Sequence, residues 1–299
     1  MKSVLKFPVV LVVLVFFGWL RMPFEQSLSQ QLTDAHLLSP SFDRESRASL
    51  SQKGFVASFG SLRPMLAAFT ALSTTNYHGK SDWEGLEEAI DTTVLLDPYN
   101  AYYWDLGAWH LAYNASTSCL ENEELPPLRR RWLFEDYISK GDQLYVRGIA
   151  ANPNAVHLRL ERARLWSSSH KIEDYPKVAQ ILEKTLSECP LSLRQHQRVR
   201  ADLFYTLLRI PERTNEAYIL GRKLYEESSK NHFPSLINGL CALQMHPKVK
   251  VDDPLNMSQL YGSRADAIKH LGNYLSDNDS HKPRYGVQDL LDRMSSVDD

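Results

Sequence analysis

Three prolines constrain this chain more than any other feature. Pro98, Pro153 and Pro190 each follow a stretch in which apolar residues recur every three or four positions, the period of an amphipathic helix. Proline lacks the N–H that a helix interior needs and pushes the residue before it into extended backbone, so each one marks a helix end. Pro153 and Pro190 stand 37 residues apart, Pro98 and Pro153 55 apart. The shorter spacing is close to one helix-turn-helix repeat of ~34 residues, and the longer fits one such repeat plus a loop of about twenty.

The segments between these stops have the same form. "LRPMLAAFTALSTTNY" (62–77) predicts one helix, and "WEGLEEAIDTTVLLDP" answers it up to Pro98. Ser81 with Glu84 and Ser192 with Gln195 have the spacing of capping boxes, in which a hydroxyl and a side chain three residues on satisfy unpaired N–H groups. "FEDYISKGDQLYVRGIAANP", "NAVHLRLERARLW", "YPKVAQILEKTLSECP", "NEAYILGRKLYEES", "FPSLINGLCALQ", "ADAIKHLGNYLS" and "VQDLLDRM" continue the series. No alternating run of convincing length suggests a strand. The expected fold class is all-α, built of antiparallel helix pairs.

The join around Pro98 carries a resemblance. "WEGLEEAIDTTVLLDPYNAYYWDLG" resembles the tetratricopeptide repeat: an aromatic opens the second helix, Glu-Ala lies within it, Leu-Asp-Pro closes it, and Asn-Ala and a Trp precede Leu-Gly. Trp104 lies one residue nearer to Leu106-Gly107 than the usual pattern has it, and the later repeats keep the closing proline and little else. "LDPYNAYYWDLGAWHLAYN" is also similar to a group of membrane-anchored bacterial repeat proteins with no assigned activity. The resemblance implies a degenerate, right-handed superhelix of about four or five antiparallel helix pairs over 55–275, with an inserted loop at 114–133. A linker and a C-terminal helix occupy 276–299.

The N-terminus speaks to location. Phe7 to Leu20 carries no charge, with Lys2 and Lys6 before it and Arg21 after. A membrane span needs ~20 apolar residues, which this run reaches if its flanking cations snorkel to the headgroups. Positive charge ahead of the run places the N-terminus in the cytoplasm and the rest of the chain on the periplasmic side. Residues 1–24 thus read as an anchor and 25–54 as a tether. The alternative, a cleaved signal peptide, lacks a small-residue site directly after the run. Cys119, Cys189 and Cys241 are odd in number and widely spaced, which excludes a stapled scaffold and a thiolate zinc site. Asn114, Asn256 and Asn278 open glycosylation sequons, meaningful only in a eukaryotic secretory route.

The stretch Leu95–Asn114 holds six Tyr or Trp residues. On a helix from Ala101 to Tyr113, Tyr102, Leu106, Trp109 and Tyr113 share one face, and Trp104, Ala108 and Leu111 take the far side. A helix apolar almost all round is expected to be buried on several sides, with Trp109 in the core. An inner-layer Tyr or the polar end of Trp104 is what remains to meet a partner peptide.

The remaining candidates are cationic. Arg129, Arg130 and Arg131 come after Glu121, Glu123 and Glu124 in the insertion, and such a triplet holds an acidic partner segment or lipid headgroups. Residues 159–200 carry nine Arg or Lys against five acids, with Arg194 and Arg198 on one helical face, a setting for carboxylates. The bland reading of all these charges is a solvated surface. The net charge of −2 with 43% hydrophobic and 23% charged residues excludes a nucleic-acid binder and wholesale disorder. No HExxH, GxSxG, GxxxxGK or GxGxxG is present, and no catalytic, metal or cofactor set emerges. "DNDSHKPRYG" lacks the Gly and Glu of a calcium loop and reads as a polar linker.

The expected function is a non-enzymatic, membrane-tethered scaffold that engages protein partners of the envelope. The alternatives are an enzyme or accessory subunit acting on envelope polymers, and a helical module for a small ligand or lipid.

Overall fold

The computed structural model describes residues 6–35, 62–256, 260–277 and 279–296. The described residues form helices and their connections, with no strand among them. By its contacts the chain divides into two compact units, Met1–Asn152 and Pro153–Asp299.

The first unit holds α1 (Lys6–Asp34), α2 (Arg63–Gly79), α3 (Trp83–Leu96), α4 (Ala101–Trp109), a π-helical turn (His110–Ala115), α5 (Ser116–Glu121) and α6 (Pro127–Ala151). Helix α1 includes residues 25–34, which the sequence suggested as tether, and ends in a turn at Ala35; residues 36–61 lie outside the described residues. No helix among the described residues is long and apolar enough to cross a membrane. The side chains of residues 6–16, most of the expected anchor, fall outside the described ones. From Phe17 to Leu28 the apolar side chains Phe17, Trp19, Leu20, Met22, Phe24 and Leu28 are exposed.

Helices α2 and α3 form a hairpin, and α6 packs along α4, the π turn and α5. The hairpin is locked by Arg63, whose buried guanidinium donates to the Leu95 carbonyl at 3.0 Å, where the last turn of α3 leaves acceptors unpaired. Lys140 meets Glu87 at 2.8 Å and Arg147 meets Asp91 at 3.0 Å, fixing α6 against α3. Gly141 permits the close crossing of α6 on the π turn: a Cβ there would stand 2.5 Å from the Ala112 Cβ and 2.9 Å from the Ala108 carbonyl oxygen.

Two expectations change here. The segment 114–133 is no loop, because the chain stays helical through Glu121 and resumes at Pro127, leaving only 122–126 between. The reason is local: Pro127 sits at the first position of α6, where a missing N–H costs nothing. Ser81 does not cap α3. Its backbone is left-handed at φ 55°, and Asp82 takes the cap, accepting from the Gly85 N–H at 3.0 Å.

The second unit holds α7 (Val156–Trp166), α8 (Tyr175–Glu188), α9 (Leu193–Leu207), α10 (Thr214–Glu227), α11 (Pro234–Gln244), α12 (Arg264–Ser276) and α13 (Val287–Ser295), with single 3-10 turns at Pro211–Arg213 and Ser229–Asn231. Each helix from α7 to α13 packs on the next in chain order. Ser192 and Gln195 form the expected capping box at α9. Phe204 is fully buried at the centre of a core with Val178, Leu182, Val199 and Leu240, and Gly221 lets α10 approach its ring, since a Cβ there would lie 2.4 Å away. A second cluster joins Ile237, Cys241, Ala267, Leu271 and Val287. The 279–286 segment, expected as a linker, is tied down by the Arg209–Asp279 ion pair at 2.8 Å and by the Tyr274 hydroxyl donating to the Pro283 carbonyl at 3.0 Å.

The three proline stops end their helices in the same way. Asp97, Asn152 and Cys189 each leave the helix just before the proline, and each still donates its N–H four residues back, to Thr93, Gly148 and Thr185. No disulfide joins the three cysteines, of which Cys119 and Cys241 are buried. Burial pushes the Cys241 thiol up to about 11.

Candidate functional site: an acidic aromatic groove

An open groove of about 1270 Å³ lies within the first unit. Three pieces of chain build it. The tight α2–α3 turn supplies His78, Asp82, Trp83 and Glu84. The end of α4, the π turn and α5 supply Trp109, Tyr113, Asn114 and Thr117, and α6 supplies Arg129, Leu133 and Tyr137. The turn is held by the N–H groups of Lys80 and Ser81 donating to the Tyr77 and His78 carbonyls. π turns inside helices often mark functional sites, because the wider winding re-aims side chains.

Four rings run in contact along this region. The Trp83 and His78 centroids are 5.6 Å apart and edge-on, His78 and His110 5.4 Å, and His110 and Trp109 5.1 Å. The Asn114 amide donates to Nδ1 of His110 at 3.1 Å, which holds the ring as the neutral Nε2–H tautomer. Burial, and then the neighbouring His78, lower the His110 pKa and favour the same neutral form. Carboxylates of Asp82, Glu84, Glu121 and Glu124 line the groove against the single guanidinium of Arg129, which stacks 4.3 Å over the Trp132 ring. The groove is therefore both acidic and aromatic.

The Cys119 thiol and the Tyr137 phenol are held in their uncharged forms. Burial raises the Cys119 thiol, with Arg129 opposing, and carries Tyr137 up to about 12. A thiol activated as a nucleophile shows the opposite shift. Among the described residues no group of three or more His, Cys, Asp or Glu is placed to hold a metal ion. What the arrangement offers is recognition: flat apolar faces for stacking, and carboxylates for a cation.

The expected site residues scatter. Trp104 is core, 5% exposed, its indole N–H donating to the Pro98 carbonyl at 2.8 Å. Its partner-facing role fails because the far side of α4 is the side that meets α6. Conversely Trp109, expected in the core, is 47% exposed and Tyr102 61%. Of the arginine triplet, Arg129 alone lines the groove, while Arg131 pairs with Glu135 at 2.6 Å. Arg194 is exposed on α9, and Arg198 lines a separate cavity in the second unit. His78, Asp82 and Trp83 were not singled out as site residues in the sequence, since they join the groove only through the α2–α3 turn; of the acidic rim, Glu84 was read as part of a cap and Glu121 and Glu124 as an acidic run. The capping pattern at 81–84 was the available signal. No protein-family model matches this chain, and no curated protein matches it.

Proposed function

We propose that this chain is a non-enzymatic, membrane-tethered scaffold whose groove in the first unit captures a cationic segment of a partner protein. The carrying observation is the charge of the groove, four carboxylates against one guanidinium around exposed indole. Lysine or arginine side chains over Trp83 and Trp109 gain both ring and carboxylate attraction. The partner is accordingly basic, not the acidic one that the arginine triplet suggested. The sequential packing of α7 to α13 supports a tetratricopeptide-like solenoid, an architecture suited to extended partners. The charge-free run from Phe7 to Leu20 and the exposed apolar side chains of α1 support an anchor, with the rest of the chain on the outer face of a cytoplasmic membrane.

The test is fluorescence anisotropy with labelled peptides of matched length on the full chain in mild detergent. Lys/Arg-rich peptides bind, weaken with salt, and lose at least about tenfold in affinity in Trp109→Ala, whose melting temperature stays near wild type. Preferential binding of acidic peptides, or indifference to Trp109→Ala, overturns the reading. Alkaline extraction of the full chain from its native membrane tests the anchor, which keeps it in the pellet.

A further inference from the structure

Two large apolar side chains stand exposed beside the groove of the first unit. Arg129, Leu133 and Tyr137 recur every fourth residue of α6 and give the groove one wall. The neighbouring stripe of the same helix carries Leu128 and Trp132, also one turn apart, 84% and 52% exposed. Arg129 belongs to both, since it lines the groove while its guanidinium lies 4.3 Å over the Trp132 ring. Pro126 and Pro127 open α6 with backbone angles that proline fixes, so Leu128 stands on a rigid first turn.

An exposed apolar patch rimmed by polar groups marks a contact surface, and an open indole with an arginine on it has the composition of a binding hot spot. Charge says what the patch would contact. The groove presents Asp82, Glu84, Glu121 and Glu124 against Arg129. Leu128 and Trp132 instead bracket Arg129, Arg130 and Arg131 in the chain. A basic residue suited to the groove is repelled at the patch, and an apolar one is not. A segment that fills both must therefore change character along its length.

The wall sets the spacing. Trp109 and Cys119 stand ten residues apart, and Cys119 is close enough to Arg129 to feel its charge. Ten residues of helix rise ~15 Å, which an extended chain covers in about five residues.

Resting on the groove reading above, we propose that the partner segment is extended and bipartite. Lys or Arg lies over Trp83 and Trp109, and a large apolar residue roughly six or seven positions away seats on Leu128 and Trp132.

Fluorescence anisotropy on the full chain in mild detergent compares three labelled peptides of equal length and charge. The first carries an arginine pair and a leucine about seven positions away, a spacing set by the extended rise. The second has serine in place of that leucine, and the third has the leucine beside the arginines. Each is made in both sequence orders, and the tighter order is compared. The first binds about tenfold more tightly than the others, the gain from burying one large apolar side chain. Leu128→Asn removes that gain and leaves the serine peptide unchanged, which separates docking from partition into detergent. Leu128 is exposed, so the melting temperature holds. Equal affinity of the first peptide and either of the others on the wild-type chain overturns the proposal. So does a gain that survives Leu128→Asn. If none of the three binds, the groove reading falls and this inference falls with it.

Discussion

The indole N–H of Trp104 and the amide of Asn152 converge on one acceptor, the Pro98 carbonyl, at 2.8 and 2.9 Å. The end of α3, the start of α4 and the end of α6 are thereby held at a single oxygen. A Cβ added at Gly148 would lie 2.7 Å from Trp104, so the indole fills the space that the glycine leaves.

Trp104→Ala is expected to destabilise the protein by ~3–5 kcal/mol through lost burial and the cavity left behind. Trp104→Phe keeps most of the packing and removes one donor, so its cost is ~1 kcal/mol, because Asn152 still serves the carbonyl. Urea denaturation of the full chain separates the two. Equal costs would mean that the hydrogen bond, not the packing, dominates.

Gly141→Ala should destabilise by roughly 1–3 kcal/mol, since the new methyl meets backbone atoms of Ala108 and Ala112 that cannot swing away. Alanine would otherwise favour the helix by ~1 kcal/mol. Gly79→Ala is the control, with nothing within 4 Å of its added Cβ, and should be neutral or slightly stabilising. Thermal melting of the two variants side by side checks the contrast.

Acidification should weaken the first unit through His110. Its pKa is lower in the folded chain than in the unfolded one, so the unfolded state binds more protons and stability rises with pH. The contribution is fully present above the unfolded value of ~6.5 and is lost as pH falls from there through the folded pKa. Protonation also removes the acceptor for Asn114 and adds positive charge beside a groove for cations, so peptide binding should fall over the same interval. His110→Gln should flatten both profiles, read by melting temperature and anisotropy between pH 5 and 8.

How far the fold could be read from sequence differs between its parts, for physical reasons. The stops at Pro98, Pro153 and Pro190 were plain because proline chemistry is local. The capping box at Ser192 was equally legible, whereas the one at Ser81 failed because a three-residue turn forced that serine into left-handed backbone. Helix α4 was identified, but its orientation was not. A helix apolar on every side carries no directional signal, and the choice of buried face fell to Gly107 and Ala108, whose smallness lets neighbouring elements approach. Consecutive residues on a helix point in different directions, so a run such as Arg129 to Arg131 does not say which of its members lines the groove, and Arg129 does. The groove itself depends on residues 30 to 60 positions apart, which no single stretch of sequence announces.

The π turn at His110–Ala115 makes the groove wall unusually open to rewriting by length rather than by composition. An α-helix advances roughly 100° per residue, and a π turn holds about one residue more than an α turn. Deleting a single residue from this segment would let the helix continue in ordinary α form while the turns on either side keep their facing. Only the side chains of the segment itself, Asn114 among them, would change the direction in which they meet the groove. In most helices a one-residue deletion breaks the packing register. Here it would remove an irregularity already present, so insertions and deletions become a way to change what the groove recognises while its supporting hydrogen bonds survive.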